Sequence, residues 1–216
     1  MKKYLLPKEG TFYKANLHCH STISDGRLTP QQIKEAYQNN GYSVVAYTDH
    51  EIFLPHADLT DERFVALHGF ELGVNEEAVE NRAKRRITHL CLIALSPNNL
   101  VHPFWHRTKY LSGNATNYKD PVQFDETKPD FEKVYTPECI NQVISEGKES
   151  GFFVTYNHPT WSLENYETYR NYHGMHALEI YNYDCILSGY DACVPNIYDD
   201  ILRSGEKLFC IGAVRK

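Results

Sequence analysis

No run of apolar residues approaches the roughly 18 that a membrane-crossing helix requires, and the opening MKKYLLPKEGTFYKA carries lysines without the apolar stretch of a secretory leader. These absences point to a soluble, cytoplasmic protein. Cysteine occurs six times (Cys19, Cys91, Cys139, Cys185, Cys193, Cys210) without a single C-x-x-C pair, which excludes a Cys-rich structural zinc site. Four of the six sit inside apolar runs, as buried thiols of a reducing compartment do. Positive charge is also short: 22 Lys and Arg against 28 Asp and Glu leave a net charge of −6. That balance argues against the broad basic face of a nucleic-acid binder and leaves room for a small anionic substrate. The one basic run, Arg82, Lys84, Arg85 and Arg86, reads as a solvated helix end or loop.

What is present is ordinary globular usage, 42% hydrophobic and 23% charged over 216 residues, enough for one domain with a proper core. The alternation of elements is regular. A strand is expected over 13–20. A helix then starts at Thr29-Pro30-Gln31-Gln32, which combines an N-cap threonine, proline at the first helical position and glutamine three residues after the cap. Ile33, Ala36 and Tyr37 give it an apolar stripe, and Gly41 stops it. Further strands are read at SVVAYT (43–48), within 63–72 with a break at Gly69, and at ITHLCLIAL (87–95). After a capped helix from Thr136 come FFVTYN and ALEIYN, then a helix marked by Ile197, Ile201 and Leu202, then KLFCIGAV. Three times a helix ends at glycine (Gly41, Gly151, Gly205) and runs into an apolar strand, the pattern of parallel β/α units in an open sheet or a closed barrel. Residues 96–135 break this grammar and read as a loop-rich insertion serving as a lid or specificity segment.

Histidine, 11 residues, is the conspicuous excess. In NLHCHSTISDG, alternation along an extended chain points His18 and His20 one way and Cys19 the other, and the turn at Ser24-Asp25-Gly26 can fold the Asp25 carboxylate towards the same pocket. His50 ends the second strand, Glu71 the third, and His158 the strand after the insertion. His89 lies near the start of its strand, where a parallel arrangement fits it least well. In parallel α/β folds ligands gather at the C-terminal ends of strands. Imidazoles mixed with carboxylates suit zinc, manganese or iron, and seven candidates (His18, His20, Asp25, His50, Glu71, His89, His158) exceed the needs of one ion. Clustered cations bridged by a carboxylate such as Glu71 hydrolyse phosphate esters. Asp49 is expected to orient an imidazole. His102, His106 and His173 read as loop or surface residues, with His106 and Arg107 able to meet a substrate phosphate.

The ordered set H-x-H with a following SDG, then TDH, GFEL, THLCLIAL and NHP resembles the PHP (polymerase and histidinol phosphatase) superfamily, from about Asn16 to the end of the sequence. The resemblance implies a single PHP domain over 1–216, built as a distorted seven-stranded β/α (TIM-like) barrel with closure at the C-terminal edge incomplete. It implies up to three metal sites: His18, His20 and Glu71 for the first, Glu71, His89 and His158 for the second, Asp25 and His50 for the third. Members of the family usually continue into an Asp-x-His pair that completes the first and third sites. Here LFCIGA runs into Val214-Arg215-Lys216, so the Glu71, His89, His158 site is expected to be the best preserved, with His56 or Asp184 as substitutes elsewhere. The implied activity is a metal-dependent phosphoesterase that hydrolyses a small phosphomonoester or phosphodiester by attack of a hydroxide on a metal ion, oriented by His18, His50 and Glu71. The alternatives are a truncated, catalytically impaired metal-binding remnant, a PHP-type exonuclease, which the acidic charge disfavours, and a C–N hydrolase of the amidohydrolase kind, for which no metal-bridging lysine stands out.

Overall fold

The computed structural model describes residues 9–77, 81 and 84–214, so the N-terminal MKKYLL, Arg82 of the basic run, and Arg215 and Lys216 lie outside the described residues. Seven strands, β1 (Ala15–Asn16), β2 (Val44–Tyr47), β3 (Val65–Asn75), β4 (Ile87–Ala94), β5 (Phe152–Asn157), β6 (Ala177–Asn182) and β7 (Phe209–Ala213), form one sheet in sequential order. The sheet curls almost into a barrel. Among the described residues no ladder joins β1 to β7. The seam is bridged instead by Val214, whose N–H donates to Asn16 Oδ1 at 3.1 Å and whose carbonyl accepts from the Tyr37 hydroxyl.

Local chemistry explains the helices. In α1 (Pro30–Gln38) the capping box closes, with Thr29 Oγ1 accepting from the Gln32 N–H and Gln32 Oε1 accepting from the Thr29 N–H. Ile33 and Tyr37 turn inward onto Val45, Tyr47 and Phe64. Thr136 caps α2 (Pro137–Glu149), which lays Ile140, Val143 and Ile144 on the sheet beside Leu92 and Val154. A side chain at Gly147 would come within 2.7 Å of Leu92, so the glycine lets α2 sit close to the sheet. Two short helices that the periodicity did not announce, α3 (Tyr166–Tyr169) and α4 (Tyr183–Leu187), precede α5 (Pro195–Arg203), which buries Ile197 and Ile201.

The sheet departs from the expected pattern in three ways that matter to the site. First, β1 is only two residues long. The chain from His18 to His20 still runs extended beside β2, tied by the Thr48 N–H to Cys19 O (2.8 Å) and the Cys19 N–H to Thr48 Oγ1 (3.0 Å). Second, β3 continues past Glu71, which therefore sits in mid-strand. Its first half pairs with β2 and its second half with β4, and the handover falls at Gly69, where a side chain would meet Leu92 O at 2.6 Å. Third, β4 runs antiparallel to both neighbours whereas β1–β2–β3 and β5–β6–β7 are parallel. The start of β4 thus lies at the rim where β2 and β5 end, and His89 pairs with Gly73 and Asn157 there.

Residues 96–135 hold a 3-10 turn (Gly113–Tyr118) and an isolated bridge between Val101 and Gln123. They bury Trp105, Ala115 and Val122 against Ile23 and Ile52, and Lys133 reaches Glu51 and Gly73. The segment buttresses the rim from outside. None of its residues lines the cavity described next, and Asn114 Nδ2 donates to Thr22 O at 3.2 Å beside the turn that borders it.

Candidate metal centre

Each would-be ligand reaches the barrel interior for a local reason. Alternation sends His18 and His20 inward while Cys19 enters the apolar cluster beneath α1. His50 follows β2 and forms a bridge with Glu71, secured by the Glu51 N–H to Glu71 O (2.8 Å) and the Glu71 N–H to Asp49 O (3.1 Å). His158 follows β5 with φ of 30°, a left-handed conformation that a residue before proline seldom adopts, and its N–H donates to Glu179 Oε2.

These side chains converge on Glu71, which is fully buried. Its Oε1 lies 3.2 Å from His18 Nε2, 3.2 Å from His89 Nδ1 and 3.1 Å from His158 Nε2. Its Oε2 lies 3.1 Å from both His20 Nε2 and His50 Nδ1. Five imidazoles from four parts of the chain therefore meet one carboxylate. Yet Glu71 Oε2 and His89 Nδ1 are buried without a hydrogen-bond partner, a costly state for polar atoms that share no proton.

The ring orientations explain this. His18 Nδ1 faces Glu179 Oε1 at 2.9 Å, and His20 Nδ1 faces Asp25 Oδ1 at 2.7 Å. With each Nδ1–H given to a carboxylate, the two Nε2 atoms face each other at 3.0 Å, lone pair to lone pair. Such a contact is repulsive unless a proton or a metal ion is shared between the two rings. Ligands held at about 2.0–2.1 Å from one ion are separated by about 3.0–3.4 Å, the spacing seen around Glu71. The donor set fits divalent ions.

The same contacts set the charge states of the cluster. Burial opposes charge on Glu71, but His89, His18 and His50 around it and the hydrogen bond with His158 hold its carboxyl well below the usual range. Burial disfavours a charged His18, yet Cys91, Glu71 and Glu179 raise it well above the ordinary value. His20 is raised against the same burial by its bond to Asp25 and by the Glu71 carboxylate 3.1 Å away. His50 is pushed down to about 3 by burial and by His20 beside it, which keeps its ring neutral and able to coordinate.

Among the described residues, Glu71, His89 and His158 form one group of ligand atoms close enough to share an ion. His20, His50 and Glu71 form a second, His18, Glu71 and Cys91 a third, and His18, His158 and Glu179 a fourth. Asp25 belongs to none of these. It spans His20 and His50, with Oδ2 3.8 Å from His50 Nε2. The turn carrying it is held by Asp49, whose oxygens accept from the N–H and hydroxyl of both Ser21 and Ser24. Asp49 therefore shapes the SDG turn, where its predicted role was to orient an imidazole. Gly26 completes the turn, since a side chain there would lie 2.3 Å from His20 O.

His56 packs on Tyr47 away from the centre, whereas Asp184 lines its cavity. His102 is buried against Phe70, and His106 and His173 pair with Glu132 and Glu206. Four contributors were missed by sequence reasoning: Glu179, Cys91, Asn157 and Trp161. A lone carboxylate in the apolar run ALEIYN marked Glu179, and i, i+2 alternation from His89 marked Cys91. Asn157 and Trp161 carried no comparable signal. Because Glu179 fixes the tautomer of His18, Glu179→Gln is expected to weaken metal binding about 10–100-fold, measured by competition with a chelating dye. Unchanged affinity would show that His18 needs no such partner.

No protein-family model matches the chain, and no curated protein matches it. Solved structures do. A proposed metal-dependent phosphoesterase from Bifidobacterium adolescentis aligns at a TM-score of 0.54 and 16% identity, over 95% of this chain and 88% of its own. The chain shares the nearly closed α/β barrel fold of that structure. An amidohydrolase from Chromobacterium violaceum, solved with sulfate bound and no metal, aligns at a TM-score of 0.52 and 13% identity, over 93% of this chain and 86% of its own. A two-domain protein from Bacteroides vulgatus, containing a predicted PHP-like metal-dependent phosphoesterase, aligns at 0.48 and 16% identity, over 94% of this chain and 51% of its own.

Proposed function

We propose that this chain is a PHP-superfamily hydrolase that uses two or three divalent ions to cleave a small phosphate ester. The observation that carries this reading is the buried Glu71 carboxylate ringed by five imidazoles at 3.1–3.2 Å, with Glu71 Oε2 and His89 Nδ1 buried without a hydrogen-bond partner. Bound divalent ions would supply an acidified water and neutralise phosphoryl oxygens. The chain's own residues do the rest. Glu71 would be the carboxylate common to the ligand groups, with His89 and His158 joining it from the β4–β5 side and His18 and His20 from the β1 side. Asp25 sits at the mouth beside His50, half exposed, where it can reach an ion or a water.

The cavity above the cluster, about 200 Å³, is also lined by Trp161, Asn182, Asp184 and Ser188. Among the described residues no lysine or arginine lines it, so the substrate's negative charge would be met by cations. That supports a compact phosphate ester over a nucleic-acid strand, which needs a basic and aromatic track. The neighbour named an amidohydrolase suggests C–N hydrolysis as a comparison substrate class.

The test is metal content after purification, paired with turnover of p-nitrophenyl phosphate, its bis-ester and a p-nitroanilide, with and without Mn²⁺. Two or three ions per chain, ester hydrolysis and loss of activity in chelator are the expected results. Metal without any turnover would leave a metal-binding remnant, anilide cleavage alone would move the chemistry to C–N bonds, and no metal would overturn the reading.

A further inference from the structure

Building on the reading of the Glu71 cluster as a metal centre, we propose that the Cys91 thiolate is a ligand of the ion held by His18 and Glu71, which makes the floor of the centre a mixed imidazole, carboxylate and sulfur site. Cys91 stands directly across from Glu71 in the β3–β4 register, so the two side chains share the barrel interior as nearest cross-strand neighbours. Its Sγ and one ligand atom each from His18 and Glu71 lie within 4.8 Å of one another. Ligands of one ion with Zn–S at about 2.3 Å and Zn–N at about 2.0–2.1 Å fit inside that sphere.

A buried free cysteine usually serves as a small apolar filler. Cys91, with no exposed surface, is surrounded differently. Asn157 Nδ2 donates to Sγ at 2.8 Å and also approaches Glu71 Oε1 at 3.4 Å. Turning the amide over would set Asn157 Oδ1 against the Glu71 carboxylate, whereas in the observed orientation Nδ2 faces both acceptors and Oδ1 accepts from the Thr155 hydroxyl at 2.7 Å. Sulfur is thus held as an acceptor, the role a coordinating thiolate plays towards an outer-shell donor. On binding, Sγ gives its proton to solvent and its lone pair to the ion. A soft ligand at this position selects zinc or cobalt over manganese or magnesium there.

The test uses the metal-free protein reloaded with Co²⁺, read by the sulfur-to-cobalt charge-transfer band in the near ultraviolet. Wild type, Cys19→Ser and Cys185→Ser, the last two changing the other cysteines that border the cavity, are expected to show the band. Cys91→Ser is expected to lose it together with no more than one ion per chain. Cobalt bound by wild type without the band, or a band surviving in Cys91→Ser, overturns the proposal. Should that variant not fold, X-ray absorption at the zinc edge of loaded wild-type protein decides: a sulfur shell at about 2.3 Å is expected, and a purely nitrogen and oxygen shell refutes it. No uptake of either metal would instead fail the metal-centre reading itself, and this ligand with it.

Discussion

Glu71→Gln is expected to empty the centre: bound metal falls below one ion per chain and hydrolysis drops by more than about 10³-fold, since an outer-shell partner alone is worth about 10–100-fold. The substitution keeps the shape of the side chain and removes only its charge and one acceptor oxygen. Every imidazole of the site lies 3.1–3.2 Å from that carboxylate, so no single histidine has comparable reach. His158→Ala should be milder, removing the ion it shares with Glu71 and His89 while the groups around His18 and His20 persist. Elemental analysis and turnover on the same preparations separate the two. Full stoichiometry in Glu71→Gln would mean that the carboxylate organises the imidazoles without touching metal.

Lys133→Met is expected to be the most destabilising change outside the metal centre. Lys133 brings an ammonium from the 96–135 segment to the Glu51 carboxylate, where both side chains are largely buried. The same Nζ donates to Gly73 O at 3.2 Å, and Glu51 Oε1 accepts from the Gly73 N–H at 2.8 Å. Burial lowers the pKa of Lys133 and Glu51 opposes that shift, the balance expected of a desolvated pair. Removing one partner strands the other charge, at a cost of about 3–5 kcal/mol. For a chain of this size that corresponds to a fall in Tm of about 6–20 °C. The double variant Glu51→Gln, Lys133→Met should recover much of the loss, because a buried pair replaced as a unit is often near neutral. Thermal melts of the four proteins in the cycle give the coupling directly, and a loss under about 1 kcal/mol in Lys133→Met would show the pair to be solvated. Glu51, at φ of 62°, adjoins His50, so the same variant should also weaken metal binding.

Much of the centre was legible because its signals are short-range. H-x-H in an extended segment must put His18 and His20 on one side, and the capping box at Thr29 must start a helix that leaves the rim open above them. Glycine stops at Gly41, Gly151 and Gly205 delivered three apolar strands in the right places. The placement of His89 near the start of its strand looked awkward only while every strand was taken as parallel. Hydrophobic alternation has the same period read in either direction, so ITHLCLIA cannot announce which way it runs. Only its pairing with β3 and β5 reverses it and delivers His89 to the rim.

By itself, then, the sequence determined the element types, most of their boundaries and the identity of seven candidate ligands, since each depends on neighbours a few residues away. Tertiary structure alone decided the direction of β4 and the partners that give those ligands their chemistry. His18 meets Glu179 across 161 positions of chain, Glu71 meets Asn157 across 86, and Lys133 meets Glu51 across 82. No local pattern records such separations. They are set when burial of the barrel interior leaves each polar group only the few partners that closure brings within reach.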